Sequence, residues 1–340
     1  MLKKVKLDKA IGLAIGHDMT KVVPGKFKGP AFRRGHVVRE EDLPELRLMG
    51  KEHIYVVEEE EGLVHEEEAA LRIARAVSSP NMKLSSPKEG KVNIVSGING
   101  LLKVNKSLLK EINSIKDIVL ATLHENTICQ PETIVAATKI VPLHIPEASL
   151  EVIEELCRKQ GNVFQVIPLK KKRVGVIITG NEVFNGLIED KFGEIIQKKV
   201  EALGSVVNHQ TVVPDDEEVI GQAINDMIAR GSEVIFVAGG LSVDPDDVTV
   251  EGVEKSGAGI ISYGAPVMPG VMFLYAELKD VPILGAPGAV IFNPTTIIDI
   301  ILPRVLADDK IYKEDIIEMG HGGLCLNCDG CTYPICPFGK

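Results

Sequence analysis

Four of the six cysteines of this 340-residue chain lie within its last sixteen residues. Thiolates two residues apart can converge on one centre, and four of them satisfy either tetrahedral Zn²⁺ or a cubane iron–sulfur cluster. In a reducing compartment such a group favours a metal site over disulfides. The sequence therefore predicts a metal-binding tail, with iron–sulfur and zinc both left open, whose ligands are Cys325, Cys328, Cys331 and Cys336.

A second set of chemically capable residues is acidic, and its members follow the apolar runs of the second half of the chain. The set consists of Glu182, Asp190, Asp215, Asp216, Asp244, Asp246 and Asp247. Carboxylates brought together repel one another unless a cation lies among them, and carboxylate with phosphate oxygens is the ligand set that Mg²⁺ prefers. Gly239-Gly240-Leu241-Ser242 offers backbone N–H groups to an anion. Helix capping and ordinary turn chemistry are the competing interpretation of these residues.

Regular alternation of strands and helices from residue 173 onward would position these side chains. We predict strands at 174–178, 206–213, 233–238 and 281–284, with helices at 190–203 and 217–229 and an apolar helix ending near Leu306. Such alternation is typical of a mostly parallel sheet with helices on both faces, and ligands of such sheets lie at the carboxyl ends of the strands. Thr179-Gly180, Pro214-Asp215-Asp216, Gly239-Gly240 and Pro287-Gly288 should then share one rim.

The first half of the chain is less regular and is predicted to be α+β. Strands are expected at 53–57, 92–95 and 116–121, helices at 66–77 and 147–160, a loop at 78–90 and a solvated acidic turn at Glu58–Gly62. The complete fold prediction is an α/β protein. A smaller α+β region (1–170) precedes a three-layer αβα domain (171–310), and a cysteine-rich tail (311–340) follows it.

Composition excludes several classes of partner. The 38 basic and 48 acidic residues give a net charge of −10, which argues against a nucleic-acid partner. No apolar run reaches the roughly 18 residues of a membrane span, and the basic start is followed by no apolar signal region. The expectation is a cytoplasmic protein with neither a nucleic-acid nor a membrane partner.

Five ordered motifs in residues 173–306 carry a family resemblance. They are Thr179-Gly180-Asn181-Glu182, Pro214-Asp215-Asp216, the segment from Ala238 to Asp247, Pro266-Val267-Met268-Pro269-Gly270, and Ala286-Pro287-Gly288. In order and spacing they resemble the molybdopterin-binding domain of molybdenum-cofactor biosynthesis proteins, a family that includes molybdopterin adenylyltransferase, molybdopterin molybdotransferase and gephyrin. The segment from Gly35 to Gly50 bears a weaker resemblance to the N-terminal half of the molybdotransferases.

The resemblance implies a transferase of molybdenum or tungsten cofactor biosynthesis. Its substrates would be a molybdopterin nucleotide and molybdate or tungstate, and a Mg²⁺-dependent step would insert the metal into the pterin dithiolene. A homo-oligomer is left open. The implied catalytic residues are Glu182, Asp215, Asp216 and Asp247, with Asp244 and Asp247 as Mg²⁺ ligands. The implied pterin- or phosphate-binding residues are Thr179, Gly180, Gly239, Gly240, Ser242, Pro269, Gly270, Pro287 and Gly288.

Departures from the family pattern favour an alternative. The usual Lys-Pro-Gly-Lys string reads Met268-Pro269-Gly270-Val271 here, and the usual Pro-Gly-Asn-Pro reads Pro287-Gly288-Ala289-Val290. The C-terminal β-rich domain of the molybdotransferases is also expected to be absent. Two lost charge-assisted contacts to an anion would each remove about 1.5–3 kcal/mol of binding. A molybdopterin-binding carrier or sensor without turnover, carrying a redox or metal tail, is therefore the second hypothesis. A third is that the fold serves an unrelated nucleotide hydrolysis, as in other members of the superfamily that it resembles.

Overall fold

The computed structural model describes residues 2–23, 27–57 and 62–340, which form two compact units. The first unit contains the described parts of 1–97 together with 104–123 and 131–165. The second contains 98–103, 124–130 and 166–340. The predicted domain limits of 1–170, 171–310 and 311–340 stay a prediction. The predicted acidic turn, apart from Gly62, lies outside the described residues.

Short strands and a few helices make up the chain as far as residue 168. The strands are β1 (Leu2–Lys6), β2 (Met19–Val23), β3 (Phe27–Phe32), β4 (His53–Val57), β5 (Leu63–His65), β6 (Met82–Leu84), β7 (Lys91–Ser96), β8 (Gly100–Val104), β9 (Ile118–Thr122), β10 (Ile128–Cys129), β11 (Ile134–Ile140), β12 (His144–Pro146) and β13 (Phe164–Pro168). The helices are α1 (Leu43–Leu48), α2 (Glu66–Val77), α3 (Lys106–Asn113) and α4 (Glu147–Gln160), with 3₁₀ turns at Leu7–Lys9 and Glu40–Asp42.

Helix α2 shows why the pattern of the first unit could be predicted. Ala69, Ala70, Ile73, Ala74 and Val77 recur at helical spacing, and all of them are buried. This face packs on β7 and β11, in an antiparallel sheet whose order is β6-β7-β11-β9. The predicted helices 66–77 and 147–160 are confirmed. The predicted loop 78–90 is wrong in part, because β6 pairs antiparallel with β7.

One six-stranded sheet organises the second unit. Its strands are β14 (Arg173–Thr179), β15 (Val206–Val213), β16 (Val234–Ala238), β17 (Gly259–Tyr263), β18 (Leu274–Leu278) and β19 (Val281–Ala286). The spatial order is β15-β14-β16-β19-β18-β17. Strands β15, β14, β16 and β19 run parallel, β18 is antiparallel to β19, and β17 is antiparallel to β18.

Helices cover both faces of this sheet. They are α5 (Asn181–Phe184), α6 (Phe192–Ala202), α7 (Glu217–Ala229), α8 (Thr249–Lys255), α9 (Ala289–Phe292), α10 (Ile297–Leu306) and α11 (Lys313–Glu318). Val176 and Ile178 of β14 pack with α6 and α10 in one apolar core, whereas Ile177 packs with α7 and α8 in the other. This alternation follows from the two-residue period of a strand. The predicted three-layer αβα architecture is confirmed.

Two strands of the sheet, β17 and β18, were not predicted from the sequence. Strand β18 is antiparallel to both β17 and β19, so its connections need no helical crossover and it lacks the alternating strand–helix signal. Strand β17 follows α8, but few of its residues are buried, so it lacks the apolar run of a central strand. The other four strands lie within two residues of the predicted bounds. In the described ranges 2–23, 27–57 and 62–340, no helix is both long enough and apolar enough to cross a bilayer.

Candidate functional site

A cavity of about 500 Å³ lies at the carboxyl ends of β14 and β16, and we call it the rim cavity. Strand β15 lies on one side of β14 and β16 lies on the other. The order in which successive strands are added to the sheet therefore changes side at β14. Such a switch point is the usual ligand site of open α/β sheets. The lining consists of Thr179, Gly180, Glu182, Val183, Ile188, Glu189, Asp190, Lys191, Phe192, Asp215, Gly239, Gly240, Asp244, Asp246, Asp247 and Ile291.

Asp215 carries the clearest electrostatic signature of the rim cavity. Its Oδ2 accepts the N–H of Asn181 at 2.8 Å, while its Oδ1 is buried and has no hydrogen-bond partner among the described residues. Burial raises the pKa of Asp215, and the carboxylates of Glu182, Asp247 and Asp246 add to the rise, against the lowering effect of the Asn181 N–H. A cation beside Oδ1 would relieve both the burial and the repulsion.

The two glycines after β16 bring backbone close to Asp215. Gly239 has φ +106°, and a Cβ there would lie 2.2 Å from the Thr179 carbonyl oxygen. Gly240 has φ +54°, and a Cβ there would lie 3.5 Å from Asp215 Oδ1. Thr249 fixes this turn, since its hydroxyl donates to the Gly239 carbonyl at 2.9 Å. Only glycine can occupy this turn without strain and leave space before the carboxylate.

Backbone amides hold the other carboxylates of the loop after β16. Asp247 Oδ2 accepts the Ser242 N–H at 2.9 Å, and Asp244 Oδ1 accepts the Asp246 N–H at 3.1 Å. The hydroxyl of Tyr263, at the end of β17, donates to the Leu241 carbonyl at 2.8 Å. These contacts pre-organise the loop so that several acidic side chains face one cavity.

Several predicted site residues lie elsewhere in the structure. Asp216 Oδ1 accepts the N–H groups of Glu218 and Val219, so this side chain caps α7 and does not line the rim cavity. Ser242 contributes its N–H to Asp247. Pro287 and Gly288 follow β19 at the same edge of the sheet, but neither is among the described lining residues.

Pro269 and Gly270 belong to a segment that packs against the end of the chain. The N–H of Met268 donates to the Gly323 carbonyl at 2.7 Å, and the N–H of Cys325 donates to the Met268 carbonyl at 2.8 Å. A Cβ at Gly270 would lie 2.7 Å from Ile297 at the start of α10. The structure therefore associates this predicted binding motif with the tail and α10, not with the lining of the rim cavity.

Sequence reasoning missed one wall of the cavity. Val183, Ile188, Phe192 and Ile291 supply apolar surface, and Lys191 is the one basic residue in the described lining. Lys191 pairs with Glu189 at 2.7 Å. Except for Ile291, which belongs to α9, these residues lie in or next to the connection that contains Glu182 and Asp190. The predicted βα junction was therefore the available signal, but nothing in the spacing showed which loop residues turn inward.

The four tail cysteines line a separate cavity of about 210 Å³, which we call the cysteine cavity. Cys325 and Cys336 are half-buried, whereas Cys328 and Cys331 are exposed. Across the described part of the chain, no three His, Cys, Asp or Glu side chains are arranged around one ion position.

The segment that carries the rim cavity is similar to a known domain family. Residues 175–305 match a probable molybdopterin binding domain. Residues 4–58 match a domain of unknown function. The first match includes the loops of β14, β15, β16 and β19, so the resemblance seen in the five motifs is supported at the level of the binding domain.

Curated relatives share a shorter segment. A CinA-like protein of Citrifermentans bemidjiense is 34% identical over 84 residues, which are 25% of this chain and 20% of the relative. One from Desulfosudis oleivorans is 37% identical over 81 residues, 24% of this chain and 19% of the relative. The alignments thus span about a fifth of the length of these relatives.

A solved structure with some similarity is the molybdopterin biosynthesis enzyme MoaB of Thermus thermophilus. It is 16% identical, covers 42% of this chain and 99% of its own, and has a TM-score of 0.33.

Proposed function

We propose that the second unit binds a molybdopterin nucleotide in the rim cavity through Mg²⁺ and takes part in inserting molybdenum or tungsten into the pterin dithiolene. The observation that carries this proposal is the buried, unpartnered Oδ1 of Asp215 among other carboxylates. The cavity volume of about 500 Å³ is within the range of small-molecule sites, about 300–1,000 Å³.

The residues present fit a magnesium ion. Mg²⁺ is usually bound by one or two carboxylates together with substrate phosphates and water. Asp215 and Asp247 would supply the carboxylates, with Glu182 and Asp244 beside them. When bound, Mg²⁺ would supply Lewis-acid polarisation of a phosphoanhydride and would offset the repulsion between an anionic ligand and the acidic loop.

The chain's own groups would orient the ligand. The Gly239–Gly240 turn leaves the approach to Asp215 open, so a phosphate can reach it closely. The apolar wall of Val183, Ile188, Phe192 and Ile291 suits the flat face of a pterin and excludes water from it. These features support binding of a molecule that is aromatic at one end and anionic at the other.

Binding and turnover are tested separately with purified full-length protein. Titration with molybdopterin and with adenylylated molybdopterin, with and without Mg²⁺, should give Mg²⁺-dependent binding. Adding molybdate or tungstate to the adenylylated form should release AMP. Absence of binding to any molybdopterin species would contradict the proposal.

Asp247→Asn tests the proposed metal ligand. It should strongly weaken Mg²⁺-dependent binding and AMP release, because a neutral amide oxygen is a much weaker ligand for Mg²⁺ than a carboxylate. Asp226→Asn is the matched control: it makes the same chemical change on α7, where Asp226 bonds to Gln222. Full activity of the Asp247 variant would remove this residue from the mechanism.

A carrier or sensor without turnover is the second candidate. It is favoured by Met268 and Val271 at the positions of the usual lysines, and by the pairing of Lys191 with Glu189 within the acidic cavity. The basic junction before β14 is also committed to ion pairs, Lys170 and Lys172 with Asp308 and Arg173 with Glu233. Binding without AMP release under the same conditions would favour this candidate.

A further inference from the structure

The end of the chain folds onto the second unit. The backbone bonds of Met268 to Gly323 and Cys325 fix its beginning, and the N–H of Gly339 donates to the Gly322 carbonyl at 2.9 Å, which closes the segment into a loop. Phe338 is buried in the apolar core that contains α10. The cysteines therefore sit on an ordered loop whose two ends meet.

Tyr333 secures the middle of this loop. Its hydroxyl donates to the Asp299 carbonyl of α10 at 3.0 Å, and its ring meets that of Phe338 edge to face. Cys325 and Cys336 pack against the same core. Two of the four thiols are thus held by the fold.

The cysteine cavity has an uncharged lining around its four thiols. Besides the four cysteines, its described lining consists of uncharged residues from two segments, Asn293–Thr295 and the loop itself. Two polar groups reach the sulfurs: the Asn327 N–H donates to Cys325 Sγ at 3.5 Å, and Thr295 Oγ1 lies 3.2 Å from Cys331 Sγ. Hydrogen bonds to ligand sulfur are among the features that set the reduction potential of iron–sulfur clusters.

We propose that Cys325, Cys328, Cys331 and Cys336 bind one cubane iron–sulfur cluster in the cysteine cavity. The cavity favours a cluster over zinc, because all four cysteines line a space of about 210 Å³, yet no three of these described side chains are arranged around one ion position as four Zn–S bonds of about 2.3 Å require. Each cysteine would lose its thiol proton to solvent and donate a sulfur lone pair to one iron of a preformed 4Fe–4S cluster, displacing the ligand that held that iron on the cluster donor. This ligand exchange changes no oxidation state.

The test begins with the full chain, purified without oxygen after growth with iron and cysteine. We expect a brown protein with about four iron and four sulfide per chain and an electron paramagnetic resonance signal after dithionite reduction. A colourless protein with one zinc per chain overturns the proposal.

Variants locate the cluster. Cys328→Ala with Cys331→Ala should lose the visible absorption and the sulfide; both side chains are exposed, so circular dichroism should stay unchanged. The control is Cys157→Ala, which changes a buried cysteine of α4 and should keep the cluster. Thr295→Val should keep the iron but lower the reduction potential, since it removes a donor to Cys331. Retention of the cluster in the double variant, or an unchanged potential in Thr295→Val, overturns the placement.

Discussion

Individual carboxylates of the rim differ more in environment than their spacing suggests. Asp215 and Asp216 are adjacent, yet Asp215 turns into the rim cavity with a bare Oδ1 and Asp216 turns away to cap α7. The sequence placed both at one edge, because the carboxyl ends of parallel strands meet there. It could not decide between ligand and cap, since aspartate is favoured in both roles.

Asp215→Asn should stabilise the protein in the absence of metal while weakening Mg²⁺-dependent binding by about tenfold or more. Because the pKa of Asp215 is raised in the fold, the stability from this group is full at acidic pH and is lost as pH rises through the folded-state pKa. The variant should therefore match the wild type in Tm near pH 4 and exceed it near pH 7, by about 1–3 °C.

Thermal unfolding at several pH values with chelator present, together with titration calorimetry, measures both effects. A Tm difference independent of pH would show that the Asp215 charge costs the fold nothing.

Gly239→Ala should lower the free energy of unfolding by about 2 kcal/mol or more, because it combines a left-handed backbone with a contact to the Thr179 carbonyl oxygen. Gly288→Ala is the matched control for stability. Gly288 has ordinary helical φ, and a Cβ there would meet nothing within 4 Å. Urea unfolding compares the two; equal stabilities would contradict the strained geometry of the turn.

Among the elements, the parallel strands were predictable and the antiparallel ones were not. Buried strands such as β14 can be predicted from a run of apolar residues followed by a glycine, here Val174–Thr179 and Gly180. Strand β17 has only one fully buried residue, Ser262, so its pattern does not separate from that of a loop. The position of Pro269 and Gly270 outside the described lining of the rim cavity had no local signal, since the backbone partners of the adjacent Met268, Gly323 and Cys325, are distant in sequence.

A partly buried ion-pair network connects two segments of the first half to the rest of the second unit. Arg304 of α10 is 4% exposed and its Nε donates to Asp309 at 2.6 Å. Lys103 also binds Asp309, at 3.1 Å, and donates to Asn126 at 3.0 Å. The network thus ties residues from 98–103 and 124–130 to the end of α10.

Asp309→Ala should cost about 3–5 kcal/mol of unfolding free energy, because it leaves Arg304 charged and buried without its nearest partner. Arg304→Met combined with Asp309→Ala should recover part of this loss, since the buried guanidinium that lost its partner is then removed, whereas Lys103 is partly exposed and keeps its contact with Asn126. Denaturant unfolding of the single and double variants gives the comparison. A double variant less stable than Asp309→Ala alone would show that Arg304 contributes by its packing.

Over the whole molecule, the net charge of −10 repels an anionic ligand, so the affinity for such a ligand should depend on Mg²⁺ and on ionic strength. Without Mg²⁺, added salt should strengthen binding of a molybdopterin nucleotide, because it screens the repulsion by the acidic rim cavity. With Mg²⁺, added salt should weaken it, because attraction to the bridging cation is then screened. Titrations at two ionic strengths test both signs. Weakening by salt in the presence of chelator would indicate a basic contact as the main anchor.

A short stretch of backbone divides the two cavities of the second unit. Ile291 lines the rim cavity, while Asn293, Pro294 and Thr295 line the cysteine cavity. An occupant of one chamber is therefore a near neighbour of an occupant of the other. A reduced cluster in the tail would be paramagnetic, and it would shorten the nuclear relaxation times of pterin protons bound across this partition. The cluster would thus act as an intrinsic paramagnetic probe of the ligand bound in the rim cavity.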